Sequence, residues 1–593
     1  MDLSRLISVA RGETAADLLL KNARIVNTFT GEIERAGVAV HAGRIAGIGD
    51  YDTAREIMDL QGAFLAPGLI NGHTHIESSM LHPARYAEAV VPRGTLGVVT
   101  DLHEIANVCG LDGVRVIMEW ARKLPLDIML LAPSCVPATH LETSGARIGP
   151  SDIEELLADA EVIGLGEMMN FPGVVGGDDE VLRKIRAARG RVIDGHAPGL
   201  SGKELNAYLS AGIRSDHEST TLEEGREKLR KGMHLMIREG SSEKNLDTLL
   251  PLVTDHTYRR CFLVVDDRSC FDLLREGDID AVLRKAIGGG LDPVRAIQMA
   301  TINTAEYFRL YDRGAIAPGY VADLITITDL AALEIDMVFH RGRLVAREGR
   351  PLFSLPAVTP ELTGTVRIKP LTTGSLSLRA PSRPCHSEPR GNRGEESRWS
   401  GQALPGILSE ESFPVIEIVP GQIVTRETVK KLRVVDGLLL PDVERDILKL
   451  VVVERHNATG NIGLGLVRGF GLKKGALASS VAHDSHNIIA VGTDDLDILK
   501  AIQEIERLQG GLVVCAGGEV LASLPLPIAG LLSPESLDVV VSQHEGVEKA
   551  AAGLGNLPPA PFAILSFLAL PVIPELRLTD LGLVDVTEFR LIR

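Results

Sequence analysis

The stretch Asn71-Gly72-His73-Thr74-His75-Ile76-Glu77 is the part of this chain that says most about its fold. It follows the apolar run from Ala63 to Ile70, which predicts a buried strand. Residues two apart on a strand project to the same side, so His73 and His75 can hold one metal ion at the strand's end. The alternative is a pair of solvated histidines in a turn, which an isolated His-x-His pattern leaves open. Further acids and imidazoles at matching places would decide between the two.

A strand-then-helix pattern follows His75. Short apolar runs alternate with amphipathic helical stretches, which is typical of βα units around a parallel sheet. Eight such repeats predict an α/β fold, a (β/α)8 barrel over residues 66–314, whose catalytic face is formed by the C-terminal strand ends. After the first strand, candidates end near Asp101, Ser134, Glu167, Asp194, Asp216, Arg238 and Val265. Helix candidates cover Asp112–Lys123, Ser151–Ala160, Asp178–Arg189, Ser201–Ala211, Thr221–Lys231 and Glu243–Thr254.

Residue types that bind metals fall at five of these strand ends. A lone histidine at such a place is most often a hydrogen-bonded structural residue, and a lone aspartate is most often a helix cap. Six of them at five strand ends of one barrel are hard to explain in that way, so they predict a shared metal site. The six are His73 and His75 on the first strand, Glu167 on the fourth, His196 on the fifth, His217 on the sixth and Asp266 on the eighth.

Six motifs surround these residues, and they resemble those of a known family. The motifs are Pro67–Met80, Asp101–Asn107, Gly166–Asn170, Asp194–Pro198, Ser215–Glu218 and Arg238–Ser241. They resemble the adenine deaminase family of the amidohydrolase superfamily, over about residues 15–350 and 413–593. Most amidohydrolases with two metals bridge them with a carboxylated lysine on strand four. This chain is similar to the adenine deaminases in offering Glu167 there.

The donor set and the resemblance together predict a cofactor and a reaction. Imidazole and carboxylate without thiolate suit Mn²⁺, Fe²⁺ or Zn²⁺. The resemblance implies a centre of two divalent ions, Mn²⁺ or Fe²⁺ with Zn²⁺ as an alternative, which lowers the pKa of a bound water. It implies metal-dependent hydrolytic deamination of a small purine base, adenine, to hypoxanthine and ammonia, as in purine salvage. Asp266 and Glu167 are the predicted catalytic residues, with Asp266 passing the proton of water to the departing amine.

Two other functions stay open at this point. A different amidohydrolase acting on another aminopurine or a cyclic amide would share the same metal ligands, because only pocket residues choose the substrate. A non-catalytic relative could keep the barrel as a binding or assembly module. Loss of one of the six candidate ligands would favour that last reading, and none is lost.

Four acidic or imidazole residues near the strand ends have several candidate roles. Glu77, His103 and Glu104 could hydrogen-bond a purine nitrogen, orient a ligand histidine or bind a further ion. For Glu77, pairing with an arginine or capping the next helix is the structural alternative. Asp267 is expected to point away from the ions because side chains alternate along a strand.

The segments outside the barrel predict further domains. Residues 17–65 and 315–350 alternate apolar and polar positions over short runs, which predicts strands, and the resemblance implies one discontinuous β-sandwich. Residues 371–412 are dominated by Ser, Pro, Arg, Gly and Glu, so we expect a disordered linker. Residues 413–593 predict an α+β domain that caps the active site. His483 and Asp484 are its candidate site residues, with a turn that satisfies local backbone as the alternative.

Composition narrows the class of protein. The net charge of −17 disfavours a nucleic-acid partner, because phosphate binding needs a basic face. The six cysteines include no C-x-x-C, so disulfides are not expected and a cytoplasmic location is. No apolar run reaches the ~18 residues that a membrane span requires, so no membrane association is expected. A homo-oligomer is expected as well.

Overall fold

The apolar run before His73 divides into two strands: Leu69–Asn71 is the first strand of a parallel barrel, and Phe64–Pro67 belongs to a separate sheet. The computed structural model describes residues 2–356, 358, 361–380, 409–420 and 422–592. Within residues 2–356, eight parallel strands follow one another around the barrel. In order they are Leu69–Asn71, Thr95–Thr100, Asp127–Ala132, Val162–Met168, Val192–Gly195, Ser215–Asp216, His234–Arg238 and Cys261–Val264.

Backbone pairing divides these strands into two runs. The first to fifth strands pair in sequence, and so do the sixth to eighth. Beyond the eighth strand, Asp266–Asp267 pairs in parallel with Thr74–His75, which joins the eighth strand's end to the first. The apolar interior contains side chains from strands on both runs, among them Ile70, Leu131 and Phe262. An α/β barrel is therefore the scaffold of the site.

The barrel helices begin close to where the sequence predicts them, with two differences. The helix expected from Asp112 is the second part of His103–Ala121, which begins earlier, at His103, and is kinked at Gly110, whose φ of 62° and ψ of −153° are not helical. The helix expected over Glu243–Thr254 is only one turn before a 3-10 turn, because Pro251 removes a backbone N–H. Helices of the first 320 residues are Leu3–Ala10, Pro83–Val90, His103–Ala121, Pro150–Leu157, Phe171–Gly176, Asp179–Ala187, Gly202–Ser210, Leu222–Arg230, Leu246–Leu249, Cys270–Arg275, Ile279–Gly288, Pro293–Met299 and Ile302–Tyr307.

The two segments predicted as a sandwich meet in a single sheet, which has nine strands in the described part of the chain. They join where Phe64–Pro67 pairs antiparallel with Leu324–Ile327. The long strand Ala16–Val26 pairs with one strand along one edge and with two different strands along the two halves of its other edge. The remaining strands are Ile33–His41, Arg44–Gly49, Ala54–Asp59, Ile335–His340, Arg343–Arg347 and Arg350–Pro351.

The chain divides into two units. The first comprises Met1–Ala138, Ala146–Leu362 and Leu531–Ser542, and the second comprises Thr139–Gly145, Thr363–Gly530 and Gln543–Arg593. The unit that contains the predicted domain 413–593 therefore begins earlier, at Thr363. It also gains a short loop that follows the third barrel strand and loses 531–542. No sequence signal marked either exchange, because both depend on contacts between distant parts of the chain.

The second unit has an α+β architecture. Its helix Asp495–Leu508 is capped at the N-terminus by Asp494, whose side chain accepts hydrogen bonds from two backbone N–H groups. The helix packs Ile498, Ile502 and Ile505 against the main sheet. The main sheet contains Ser409–Ile418, Thr425–Val435, Leu438–Leu439, Ile447–Val453, Ile462–Arg468, Ala476–Ser479, Ile488–Gly492, Gly511–Ala516 and Glu519–Pro525. Helices Leu537–Ala552 and Pro561–Phe567 and a small sheet of Leu576–Thr579, Gly582–Asp585 and Arg590–Leu591 follow.

The linker predicted over residues 371–412 is wrong at both ends. Thr373–Leu376 forms a 3-10 turn, and Leu376 and Leu378 are buried. A strand begins at Ser409. Burial of these two leucines anchors the start of the polar segment. The average composition of residues 371–412 does not reveal this, because two apolar residues barely change it. Residues 381–408, the middle of the prediction, lie outside the described residues.

Among the described residues, none of the helices combines the length and the apolar character that a membrane span needs.

Candidate metal centre

The six candidate ligands lie together at the C-terminal ends of the barrel strands. His73 and His75 follow the first strand, and Asp266 is brought beside them because Asp266–Asp267 pairs with Thr74–His75. The Nε2 atom of His75 lies 3.2 Å from Oδ1 of Asp266, and that of His73 lies 3.6 Å from the same oxygen. Two imidazoles and one carboxylate thus converge on one point, as a metal ion requires.

Glu167 at the end of the fourth strand divides its two oxygens between two groups of histidines. Its Oε1 lies 3.3 Å from Nε2 of His75. Its Oε2 lies 2.8 Å from Nδ1 of His196 and 3.3 Å from Nε2 of His217. Because one oxygen faces each group, this carboxylate has the geometry to bridge two neighbouring ions.

His73 shows that the donor set fits a metal ion. Its Nδ1 lies 3.2 Å from Oδ2 of Asp194, which fixes the ring and directs Nε2 into the site. That Nε2 is buried and makes no hydrogen bond within the described residues. An unbonded imidazole nitrogen among carboxylate oxygens is costly unless it binds a cation. Ligand histidines held by a carboxylate on their other nitrogen are common in metal sites.

Neighbouring charges shift the pKa values of the carboxylates and histidines of the site. Burial alone would raise the pKa of Glu167, but hydrogen bonds from His196, His217 and His75 hold it well below its usual range. Burial likewise opposes charge on His75, yet the carboxylates of Asp101, Asp266 and Glu167 raise its pKa well above normal. The centre therefore favours ionised carboxylates and attracts positive charge, which metal ions supply.

Arg238 from the seventh strand adds a buried positive charge. It donates from Nη1 to Oδ2 of Asp266 at 2.5 Å and to Oε1 of Glu218 at 2.5 Å. Burial would raise the pKa of Asp266, but Arg238 and His75 hold it well below its usual range. Asp266 has a left-handed backbone with φ of 66°, which is uncommon outside glycine and is found at functional sites. One oxygen of Asp266 faces the histidines while the arginine holds the other.

A second group of polar side chains lies beside the six ligands. His103 and Glu104 occupy the first turn of the helix His103–Ala121. The Nδ1 atom of His103 lies 2.9 Å from Asp101, and its Nε2 lies 3.4 Å from Glu104. Glu77 accepts from the backbone N–H of Ile105 at 3.2 Å through Oε1, while its buried Oε2 makes no hydrogen bond within the described residues. Burial, and then the charge of Glu104, raises the pKa of Glu77 to about 7.

Asp267 behaves differently from Asp266. Its Oδ1 accepts a hydrogen bond from the hydroxyl of Ser78, and the residue is only partly buried. That Asp267 points away from the ions stays a prediction.

The fifth and sixth strands are not paired through backbone hydrogen bonds, and side chains link them instead. Ala197, next to His196, donates its N–H to Asp216, next to His217, at 2.9 Å. Lys228 from the helix Leu222–Arg230 donates at 2.7 Å to the carbonyl of Ala197 and at 2.8 Å to Asp216. Lys228 and Asp216 are both fully buried. This ion pair therefore ties together the two strand ends that carry His196 and His217.

Comparisons with known proteins identify relatives that match the chain along its whole length. Models of two families match the chain: the amidohydrolase family over residues 64–345 and the adenine deaminase C-terminal domain over residues 422–590. An adenine deaminase of Dehalococcoides mccartyi is 59% identical, across 100% of this chain and 99% of its own length. The chain belongs to the adenine deaminase family. Adenine deaminase 2 of Carboxydothermus hydrogenoformans is 48% identical, across 99% of this chain and 98% of its own.

One solved structure matches part of the chain at low identity. A crystal structure of an adenine deaminase has 16% identity and a TM-score of 0.43, and the match covers 56% of this chain and 99% of that one. The amidohydrolase family is metal-dependent, and the buried imidazoles and carboxylates described above include groups that could hold an ion.

In this adenine deaminase family member, His483 and Asp484 lie in the second unit. The ring of His483 stacks on Phe567 with centroids 4.9 Å apart, and its backbone N–H donates to Ser566 at 3.2 Å. Asp484 is buried. The role of this domain as a cap on the active site stays a prediction.

Four residues of the site were absent from the predicted set. They are Asp101, Asp194, Glu218 and Arg238. Each lies inside one of the six motifs quoted above, and three of them stand within two residues of a predicted site histidine. Their closeness in sequence to predicted site histidines is the signal that could have identified them. It is not sufficient alone, because tertiary contacts set the directions of side chains at strand ends.

Proposed function

We propose that this chain is a metal-dependent aminohydrolase that converts adenine and water to hypoxanthine and ammonia. The adenine deaminases that resemble it span its whole length. The observation that carries the proposal is Glu167, because its two oxygens face two separate groups of histidines. A carboxylate in that position can bridge two ions, and it stands where the resemblance implies a bridging ligand.

We infer that two divalent ions bind, with Mn²⁺ or Fe²⁺ preferred and Zn²⁺ as the alternative. His73, His75 and Asp266 would hold one, and His196 and His217 would hold the other. Glu167 would be shared between them. When bound, the ions make hydroxide available near neutral pH by lowering the pKa of water.

Asp266 is the proposed proton carrier. Arg238 donates to its Oδ2, whereas Oδ1 faces the histidines, and a second lone pair of Oδ1 could take the proton of the attacking water beside the ion that this oxygen would hold. As the oxygen of water bonds to C6 of adenine, Asp266 would accept that proton and then deliver it to the amino group. The C6–N bond breaks and ammonia departs, so no proton is gained or lost overall.

Glu77 is the proposed contact for the purine ring. Its Oε2 is buried and makes no hydrogen bond within the described residues, so a ring N–H could donate to it. His103 and Glu104 lie in the neighbouring helix turn, and they could contact the remaining ring nitrogens. A buried acceptor that needs an N–H discriminates against bases that lack one at that position.

Release of ammonia from several substrates tests the proposal. The purified chain would be stripped of metal, loaded with Mn²⁺ and assayed for ammonia release from adenine, adenosine and guanine. Hydrolysis of a cyclic amide such as hydantoin releases no ammonia, so it would be followed by ring opening instead. We expect metal-dependent release from adenine above all the others. Turnover of guanine or hydantoin in preference to adenine would identify a different amidohydrolase activity. No turnover by fully loaded protein would favour a non-catalytic relative.

A further inference from the structure

Arg238 contacts two carboxylates that face different histidines. Asp266 lies near His75, and Glu218 lies near His217. Its Nη1 lies 2.5 Å from both Oε1 of Glu218 and Oδ2 of Asp266, and its Nη2 donates to Oε2 of Glu218 at 3.2 Å. The guanidinium therefore holds Glu218 through both of its oxygens. All three side chains are buried, so solvent does not weaken the pairing.

Glu218 is close enough to the histidines to be a metal ligand itself. Its Oε1 lies 3.3 Å from Nε2 of His217 and 3.7 Å from Nδ1 of His196. These three residues form a group that could hold an ion without Glu167. Glu167 faces the same two imidazole nitrogens from its own strand, at 3.3 and 2.8 Å. Two carboxylates therefore compete for one position.

We propose that Arg238 is a positioning residue that decides this competition. By pairing with Glu218, it keeps that carboxylate off the ion between His196 and His217, so the ion is shared with Glu167 instead. This inference rests on the metal centre of the proposed function. An additional anionic ligand tightens cation binding, and a metal whose charge is more fully neutralised acidifies water less. Loss of Arg238 should therefore strengthen metal binding while it weakens catalysis.

Manganese titration of metal-free protein tests this with Arg238→Gln. The variant is expected to bind Mn²⁺ at least as tightly as the natural chain, and up to about 10-fold tighter, while kcat falls by about 10²-fold or more with KM little changed. The double variant Arg238→Gln with Glu218→Gln removes the competing carboxylate and also the unpaired charge. It should recover kcat to within about 10-fold of the natural chain.

Two further variants keep the test decisive. Arg238→Lys retains the charge, so it remains informative if Arg238→Gln does not fold, and it should fall between the natural chain and Arg238→Gln in kcat. Arg268→Gln is the matched control, because Arg268 is equally buried but pairs with Glu276 and backbone carbonyls. It is expected to leave manganese affinity unchanged.

The inference is overturned if Arg238→Gln or Arg238→Lys loses manganese affinity in parallel with kcat, or if Glu218→Gln recovers nothing in the double variant. These outcomes would give Arg238 a structural role only. Failure of the proposed function has a separate signature, since the natural chain would then bind Mn²⁺ without releasing ammonia from adenine. The comparison of manganese affinities does not depend on adenine turnover.

Discussion

Substitution of Lys228 by methionine is expected to destabilise the barrel much more than loss of a typical lysine. Methionine is similar in length and fits an apolar site, so the change removes charge and hydrogen bonds with little change in volume. The substitution removes the hydrogen bonds that Lys228 donates at 2.7 Å to the carbonyl of Ala197 and at 2.8 Å to Asp216 and Glu224. Asp216 remains fully buried and loses its cation.

The magnitude follows from burial. Breaking a buried ion pair by removal of one partner typically costs ~3–5 kcal/mol, because an uncompensated charge stays inside. Asp216 keeps hydrogen bonds from Ala197 and Ser219, which favours the lower half of that range. At a urea m-value of about 3 kcal/mol/M, ~3–4 kcal/mol lowers the unfolding midpoint by about 1 M.

Lys231 provides a matched control near the end of the same helix. It also pairs with a glutamate four residues earlier, Glu227 at 2.8 Å, and donates to the carbonyl of Gly202 at 2.7 Å. Its side chain is 26% exposed, whereas that of Lys228 is 1% exposed. Lys231→Met should therefore cost ~1 kcal/mol or less. The contrast between the two variants isolates the effect of burial.

Urea unfolding followed by tryptophan fluorescence is the assay. The chain has two tryptophans, so a Trp399→Phe background leaves Trp120 to report on the first unit. Equal midpoints for Lys228→Met and Lys231→Met would refute the reasoning. The double variant Lys228→Met with Asp216→Asn removes both charges, and it should recover part of the loss. No recovery would mean that packing, and not charge, explains the effect.

Three further predictions concern the ligands and the polar segment. Glu167→Gln should lower manganese affinity by at least about 10²-fold in metal titrations and reduce adenine turnover with it, and unchanged binding would refute its bridging role. Asp266→Asn should lower kcat by ~10²–10⁴-fold with much of the metal retained, whereas Asp267→Asn should have a small effect; the reverse order would exchange their roles. Deletion of residues 381–408 should leave the melting temperature nearly unchanged, while deletion of residues 375–408 should lower it by several degrees, because only the longer deletion removes buried leucines.

The barrel and most of the candidate metal ligands could be predicted from the sequence. Alternating apolar runs and amphipathic stretches have periods that local geometry dictates, so each strand end could be located within a residue or two. In a parallel barrel all C-terminal strand ends meet on one face, so His73, Glu167 and His217 were expected together before any contact was known. Family motifs then supplied the reaction.

The tertiary structure alone decided how the charges of the site are paired. Arg238 and Glu218 stand 20 positions apart, and their pairing depends on how neighbouring strands are staggered. The link between Lys228 and Asp216 depends equally on the docking of a helix against a gap in the backbone ladder. Short-range periodicity carries no information about which distant side chains meet, because their directions are fixed only when the whole barrel closes.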